Sequence, residues 1–278
     1  MPVIQVHGAD LHYEDTGGTG EPVLFLHGFL FDGRQYEAQV AALRDQYRCL
    51  TLDFRGQGRS AASRGGYQTE QLTADVLAVI RALGIAPVHL AGLSMGGFAA
   101  MRIAARQPAV VRSLILLNTS AAAHPRGKVP GHLVLTAVGR LAGLSGQLLT
   151  SRIEAEMYGP AFRGDPGRAG QREAWARRWA QADRAALAKT MLGIVLRPDL
   201  RDELGDIRAP TLIIAGAADA SLPPRFSREM HSLIPGSQLV ELPGTGHSSP
   251  IEDPDGVTQA LREFLAAPPA RPGRTGHP

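Results

Sequence analysis

The chain contains a single cysteine, Cys49, so no intrachain disulfide can staple it. Cys49 lies in the apolar run RCLTLDF, where a buried structural thiol is expected rather than a reactive one. Lysine is almost absent: Lys128 and Lys189 are the only two, and arginine carries the rest of the positive charge. The formal charge of +3 is spread over scattered arginines and lacks the clustered stripe that nucleic-acid binding needs. No run of about 18 apolar residues occurs, which argues against a membrane-spanning helix. The opening stretch MPVIQVHGADLHYED has neither a basic segment nor an apolar one, so no secretory signal is expected and the expected location is cytoplasmic.

What is present is the composition of a globular protein. Hydrophobic residues make up 44% and charged residues 20% of 278 positions, enough to bury one large core. Eight short runs rich in Val, Ile and Leu read as strands: PVIQV, LHYED, PVLFLHG, RCLTLDF, VHLAGLS, RSLILLN, PTLIIAG and SQLVELP. Helical periodicity lies between the later ones, as in Leu72, Val76, Ile80 and Leu83, which recur every three or four residues. Nearly continuous apolar strands alternating with helices predict a doubly wound α/β fold. Its sheet is mostly parallel and eight-stranded, with flanking helices and an antiparallel pair at the N-terminus.

From about Ala121 to Asp206 no strand pattern occurs, and the segment is helical, arginine-rich and broken by Gly and Pro. The expected organisation is a core over residues 1–120 and 207–266, a helical cap insertion over 121–206, and a disordered tail over 267–278.

The segment VHLAGLSMGGFAA carries the chemistry. Gly92-Leu93-Ser94-Met95-Gly96 ends one predicted strand and opens a helix, the context in which G-x-S-x-G places a nucleophile on a sharp turn. Glycines two positions either side of Ser94 avoid side-chain collisions in that turn. The start of the helix turns backbone N–H groups toward developing negative charge, which makes the Met95 amide a candidate oxyanion donor. A serine hydroxyl needs a base, and the base needs an acid to hold its tautomer. Of nine histidines, only His247 directly follows the last apolar strand, on the Gly-rich loop of LVELPGTGHSSPIEDP. Asp219, just beyond the seventh strand in IIAGAADASLPP, is the candidate acid; the alternative position after the preceding strand reads Asn118, which carries no charge. The order Ser94, Asp219, His247 is the serine, acid, histidine order of this kind of sheet. In FLHGFLFDG the Phe29 amide is a second oxyanion candidate, His27 is expected to be structural, and DFRGQGRS reads as a turn fixed by side-chain bonds.

Taken in order, the HGF, DFRGxGxS, GxSMGG, strand-then-Asp and GxGH elements resemble the α/β-hydrolase superfamily across about residues 3 to 266. Within it the chain is similar to enol-lactonases, carboxylesterases and cofactor-free haloperoxidases. The resemblance implies that Ser94 attacks a carbonyl carbon, His247 moves the proton and Asp219 orients the imidazole. It implies an esterase or lactonase with no cofactor and no metal. Carbon-carbon bond hydrolases of vinylogous diketones are also similar, as are ligand-sensing receptors built on the same fold.

Substrate choice is expected to lie in the insertion. Met157, Tyr158, Phe162, Trp175, Trp179, Met191 and Leu192 offer apolar and aromatic side chains there. Leu30, Met157 and Trp179 are the candidate substrate-binding residues. The expected partner is a small ester or lactone, not a nucleic acid or a membrane. Six insertion arginines, among them Arg163, Arg172 and Arg184, present either a solvated helix face or an attraction for anionic groups such as an acyl carrier protein.

Overall fold

The computed structural model describes residues 2–144 and 146–267. The expected tail beyond Ala267 therefore lies outside the described residues. Eight strands form one sheet: β1 (Val3–Val6), β2 (Ala9–Asp15), β3 (Pro22–Leu26), β4 (Arg48–Leu52), β5 (Val88–Leu93), β6 (Val111–Leu117), β7 (Thr211–Gly216) and β8 (Gln238–Leu242). Their order across the sheet is β1-β2-β4-β3-β5-β6-β7-β8. β2 runs antiparallel to both β1 and β4, and every later pairing is parallel. The apolar runs fall on these strands because a parallel strand covered on both faces has no solvent side: all six residues of β5 and of β7 are buried.

Helices cover the two faces. On one lie α1 (Glu37–Leu43) and, at the end of the chain, α11 (Pro254–Ala266); Leu43, Val257 and Leu261 pack there on Val23, Ile115 and Ile214. On the other lie α2 (Thr69–Ala82), α3 (Met95–Arg106) and α9 (Arg225–Leu233). Leu72, Val76, Phe98 and Met230 pack there on Leu24, Leu90 and Ile213. The predicted stripe of α2 is buried at Leu72, Val76 and Ile80. Cys49 is buried in β4, and desolvation pushes its thiol up to about 11, out of the range in which a thiolate forms at neutral pH.

Between β6 and β7 the chain forms α4 (Val129–Ala142), α5 (Gln147–Met157), α6 (Pro160–Gly164), α7 (Ala169–Gln181) and α8 (Arg184–Val195). A 3-10 turn over Arg201–Asp206 then returns to the sheet, where Leu200 and Leu204 join the main core. A short helix α10 (Ser249–Glu252) follows β8. Among the described residues no helix is long and apolar enough to cross a membrane.

The turns after β3, β5, β7 and β8 all leave the same edge of the sheet, because these four strands are parallel. That edge is where an open α/β sheet places its ligand crevice.

Candidate active site

Ser94 follows the last residue of β5 and precedes the first residue of α3 with φ 50° and ψ −112°, a backbone conformation that a side chain strains to adopt. Three hydrogen bonds hold it there. Its N–H donates to the Leu117 carbonyl at 2.9 Å, and its carbonyl accepts from the Phe98 N–H at 3.1 Å and the Thr119 hydroxyl at 2.8 Å. The two flanking glycines are required by space: a Cβ on Gly92 would come within 2.5 Å of the Gly96 backbone, and one on Gly96 would overlap the Leu26 carbonyl.

His247 Nδ1 donates to Asp219 Oδ2 at 2.8 Å, and both residues are buried. Asp219 is itself fixed: Oδ1 accepts the Leu222 N–H at 2.8 Å, and Oδ2 also accepts from the Asn118 side-chain amide at 3.0 Å. Burial alone would press the His247 pKa down. The charge and hydrogen bond of Asp219, with smaller contributions from Glu252 and Glu156, outweigh it and raise His247 above its ordinary value. Among the described residues neither His247 Nε2 nor Ser94 Oγ makes a hydrogen bond, and both residues line one cavity of about 130 Å³. Such contacts often close only when substrate is bound.

The loop after β3 forms the opposite wall. The Gly28 N–H donates to Gln35 Oε1 at 2.9 Å and the Leu30 N–H to Gln57 Oε1 at 3.0 Å. The amide between them, Phe29, has no acceptor among the described residues, and neither has the Met95 amide at the first position of α3. Gln57 also reaches Met95 Sδ at 3.8 Å, tying the two loops together. His27 packs under this loop: it donates from Nδ1 to the Gly28 carbonyl at 2.7 Å and accepts the Phe54 N–H at 2.9 Å through Nε2. Full burial lowers its pKa, as befits a neutral structural imidazole. The DFRGQGRS turn is held as its sequence predicts, with Asp53 accepting the Gly33 and Arg59 amides and Ser60 bonded to the Asp53 carbonyl.

Of the residues expected to bind substrate, Leu30 and Met157 line the cavity, together with Phe98, Leu135, Leu187 and Met191. Trp179 does not, and its expected role is corrected. It is 1% exposed and belongs to an aromatic cluster with Phe31, Tyr158 and Trp175, of which Phe31 alone also lines the cavity. Its ring meets Phe31 edge-on at 5.9 Å and stacks on Tyr158 at 6.1 Å. The reason is position: Trp175 and Trp179, one turn apart on α7, present a single stripe that fastens the helix to the β3 loop. Of the arginines singled out in the insertion, Arg172 caps the Phe162 carbonyl and Arg178 lies over Trp175, while Arg184 reaches the cavity wall.

Two polar residues at the site take roles that no motif in the sequence marks. Asn118 joins Asp219 to the Gly246 carbonyl. Glu252 accepts the N–H groups of Gly159, Gly246 and Ser248 at 2.8 to 2.9 Å, so one carboxylate ties the histidine loop to the start of α6.

A family model described as alpha/beta hydrolase fold matches residues 21–254. The enol-lactonase from Burkholderia xenovorans LB400 has a crystal structure 30% identical in sequence, with a TM-score of 0.87 over 96% of this chain and 100% of that one. A thermophilic esterase from Thermogutta terrifontis is 32% identical, with a TM-score of 0.85 over 95% and 96% of the two chains. The AB hydrolase superfamily protein YisY of Bacillus subtilis (strain 168) is 33% identical over 91% of this chain and 94% of its own length. The matched span includes β3 through the His247 loop, and the chain belongs to the alpha/beta hydrolase family.

Proposed function

We propose that the protein is a serine hydrolase that cleaves a carboxylic ester or lactone through an acyl-enzyme. The observation that carries this reading is the convergence on one cavity of a strained Ser94 and a His247 held by Asp219. Ser94 Oγ attacks the carbonyl carbon while His247 Nε2 takes the hydroxyl proton. The negative charge that develops on the carbonyl oxygen is received by the Phe29 and Met95 amides. Asp219 keeps the proton of the neutral imidazole on Nδ1 and stabilises the imidazolium that forms. The tetrahedral species collapses as His247 gives its proton to the departing alcohol oxygen. Water repeats the sequence on the acyl-enzyme, releasing the acid and restoring Ser94.

The reading assigns α4 to α8 the role of a cap whose inner surface selects the substrate. The cavity wall formed there is largely apolar, with Leu135, Leu187, Met191 and Ile194, which suits a small acyl or alkyl group. The enol-lactonase and esterase among the similar structures support an ester or lactone as substrate.

The test is turnover of short p-nitrophenyl esters and of a simple lactone by the purified protein. Ser94→Ala is expected to lose roughly 10⁴-fold or more in kcat. Unchanged turnover in that variant overturns the reading.

A further inference from the structure

Arg197, just past α8, is a buried cation. It is 5% exposed and forms no ion pair with a carboxylate among the described residues. Its neighbour in space, Arg102, is by contrast paired with Glu70 at 2.8 Å. Three of the five guanidinium N–H groups are spent on neutral acceptors. Nε donates to the Ala122 carbonyl at 3.1 Å; Nη1 donates to the Ile194 carbonyl at 3.0 Å and to His124 Nδ1 at 3.3 Å. Nη2 makes no hydrogen bond among the described residues, and Arg197 is part of the cavity wall that also holds Ser94 and His247.

The environment holds this charge in place without neutralising it. The guanidinium lies over the Phe98 ring at 4.3 Å from its centroid, a cation–π contact. His124 accepts from Arg197 at Nδ1 and so is left to donate from Nε2 to His132 Nδ1, 2.9 Å away. Both imidazoles also line the cavity, in a hydrogen-bonded chain that begins at the cation. Desolvation, reinforced by Arg102 and only partly offset by the charge of Asp199, which makes no ion pair with it, pulls the Arg197 pKa down to about 10, so the group remains charged at neutral pH. The charged residues of the cavity wall are Arg140, Arg184, Arg197 and Glu156, a positive excess in an otherwise apolar space.

A buried, uncompensated charge is costly unless an opposite charge arrives to pair with it. We infer that Arg197 is a specificity determinant that receives a carboxylate carried by the substrate, so that the preferred ester or lactone is an anion. The inference rests on the serine-hydrolase reading and narrows its substrate class. Phe98 lies four residues along the chain from Ser94, about 6 Å of helical rise. The carboxylate site is therefore close enough for one short molecule to reach both Arg197 and the nucleophile, as a half-ester of a short dicarboxylic acid or a lactone with a carboxylate side chain does.

The experiment compares isosteric substrates that differ in charge. One pair puts the charge in the acyl chain, mono-p-nitrophenyl glutarate against p-nitrophenyl pentanoate. The other puts it in the alcohol, the acetate ester of 3-hydroxypropanoate against propyl acetate. The wild-type protein is expected to prefer the anion in at least one pair by roughly tenfold or more in kcat/KM, the order of a charge-assisted pair. Arg197→Gln is expected to abolish that ratio, and Arg197→Lys to restore part of it. Preference for the neutral member in both pairs overturns the inference while leaving Ser94 as nucleophile. If no ester is turned over, the hydrolase reading fails, and calorimetry decides the anion site by itself. Glutarate should bind the wild type and bind Arg197→Gln at least tenfold more weakly, whereas equal or absent binding to both counts against Arg197. Because the wild-type ratio needs no variant, a poorly folding Arg197→Gln does not remove the test.

Discussion

Asn118 Nδ2 stands 3.0 Å from Asp219 Oδ2, the same oxygen that accepts from His247 at 2.8 Å. The residue after β6 therefore donates to Asp219, and its own side-chain carbonyl oxygen is buried without a hydrogen-bond partner among the described residues. Its second bond, to the Gly246 carbonyl, holds the residue next to His247. Asn118→Leu is expected to lower kcat on a short ester by roughly tenfold, the scale of removing a hydrogen bond to a charged group, with little change in KM. A loss confined to KM contradicts this positioning role.

The pH profile follows from His247. Burial presses its pKa down, but Asp219 and the more distant Glu252 and Glu156 more than offset this, so the group titrates above its ordinary 6.5. In the proposed mechanism His247 is the base and works only when neutral, so kcat/KM should rise with pH along a limb centred above 6.5. In Asp219→Asn the limb should move to lower pH while the maximum falls by about 10⁴-fold, two changes that a purely structural Asp219 would not produce together. The stability sign is opposite. A histidine with a raised folded pKa adds stability that is complete below its unfolded value near 6.5 and fades as pH rises through the folded value. The wild type should lose this increment on passing above that range, and Asp219→Asn should not.

Glu252 is expected to matter for both stability and rate. Burial raises its pKa, against the pull of the Gly159, Gly246 and Ser248 amides that it accepts. Glu252→Ala leaves three N–H groups without their acceptor, at a cost of about 2–4 kcal/mol. Urea unfolding measures that loss, and kcat should fall as the His247 loop loosens. A variant that unfolds earlier but keeps full kcat would show that the tie serves the fold alone.

Trp179 and Met191 separate packing from substrate contact. Trp179→Ala removes a ring that is 1% exposed among Phe31, Tyr158 and Trp175, and is expected to cost about 3–5 kcal/mol. Met191 lines the cavity, so Met191→Ala should change KM for long-chain against short-chain esters with a small effect on the melting temperature. Thermal melts and a chain-length series on the two variants check both.

Much of this arrangement was legible in the sequence, for physical reasons. The eight strands declared themselves because strands buried on both faces must be apolar throughout, as β5 and β7 are. Ser94, Asp219 and His247 were each tied to a strand end, and parallel strands deliver their ends to one edge. The Phe29 amide is reached through its loop, yet the contacts that take the amides on either side of it, from Gln35 and Gln57, join residues 7 and 27 positions apart. Glu252 and Arg197 were invisible for the same reason. One partner of Glu252, Gly159, lies 93 residues away, and Arg197 differs from the other insertion arginines in being buried once folded. Trp179 misled because an aromatic stripe at helical spacing looks the same whether it meets a ligand or Phe31.

The central claim is that Ser94 carries the acyl group. Intact-mass and peptide mass spectrometry after reaction with a fluorophosphonate, a reagent that traps activated serines, measures this directly. The account predicts one adduct per chain, located on the peptide containing Gly92-Leu93-Ser94-Met95-Gly96, and none in Ser94→Ala or after prior blocking by a slowly turned-over ester. An adduct on another residue, or ester turnover that survives complete labelling of Ser94, would contradict it.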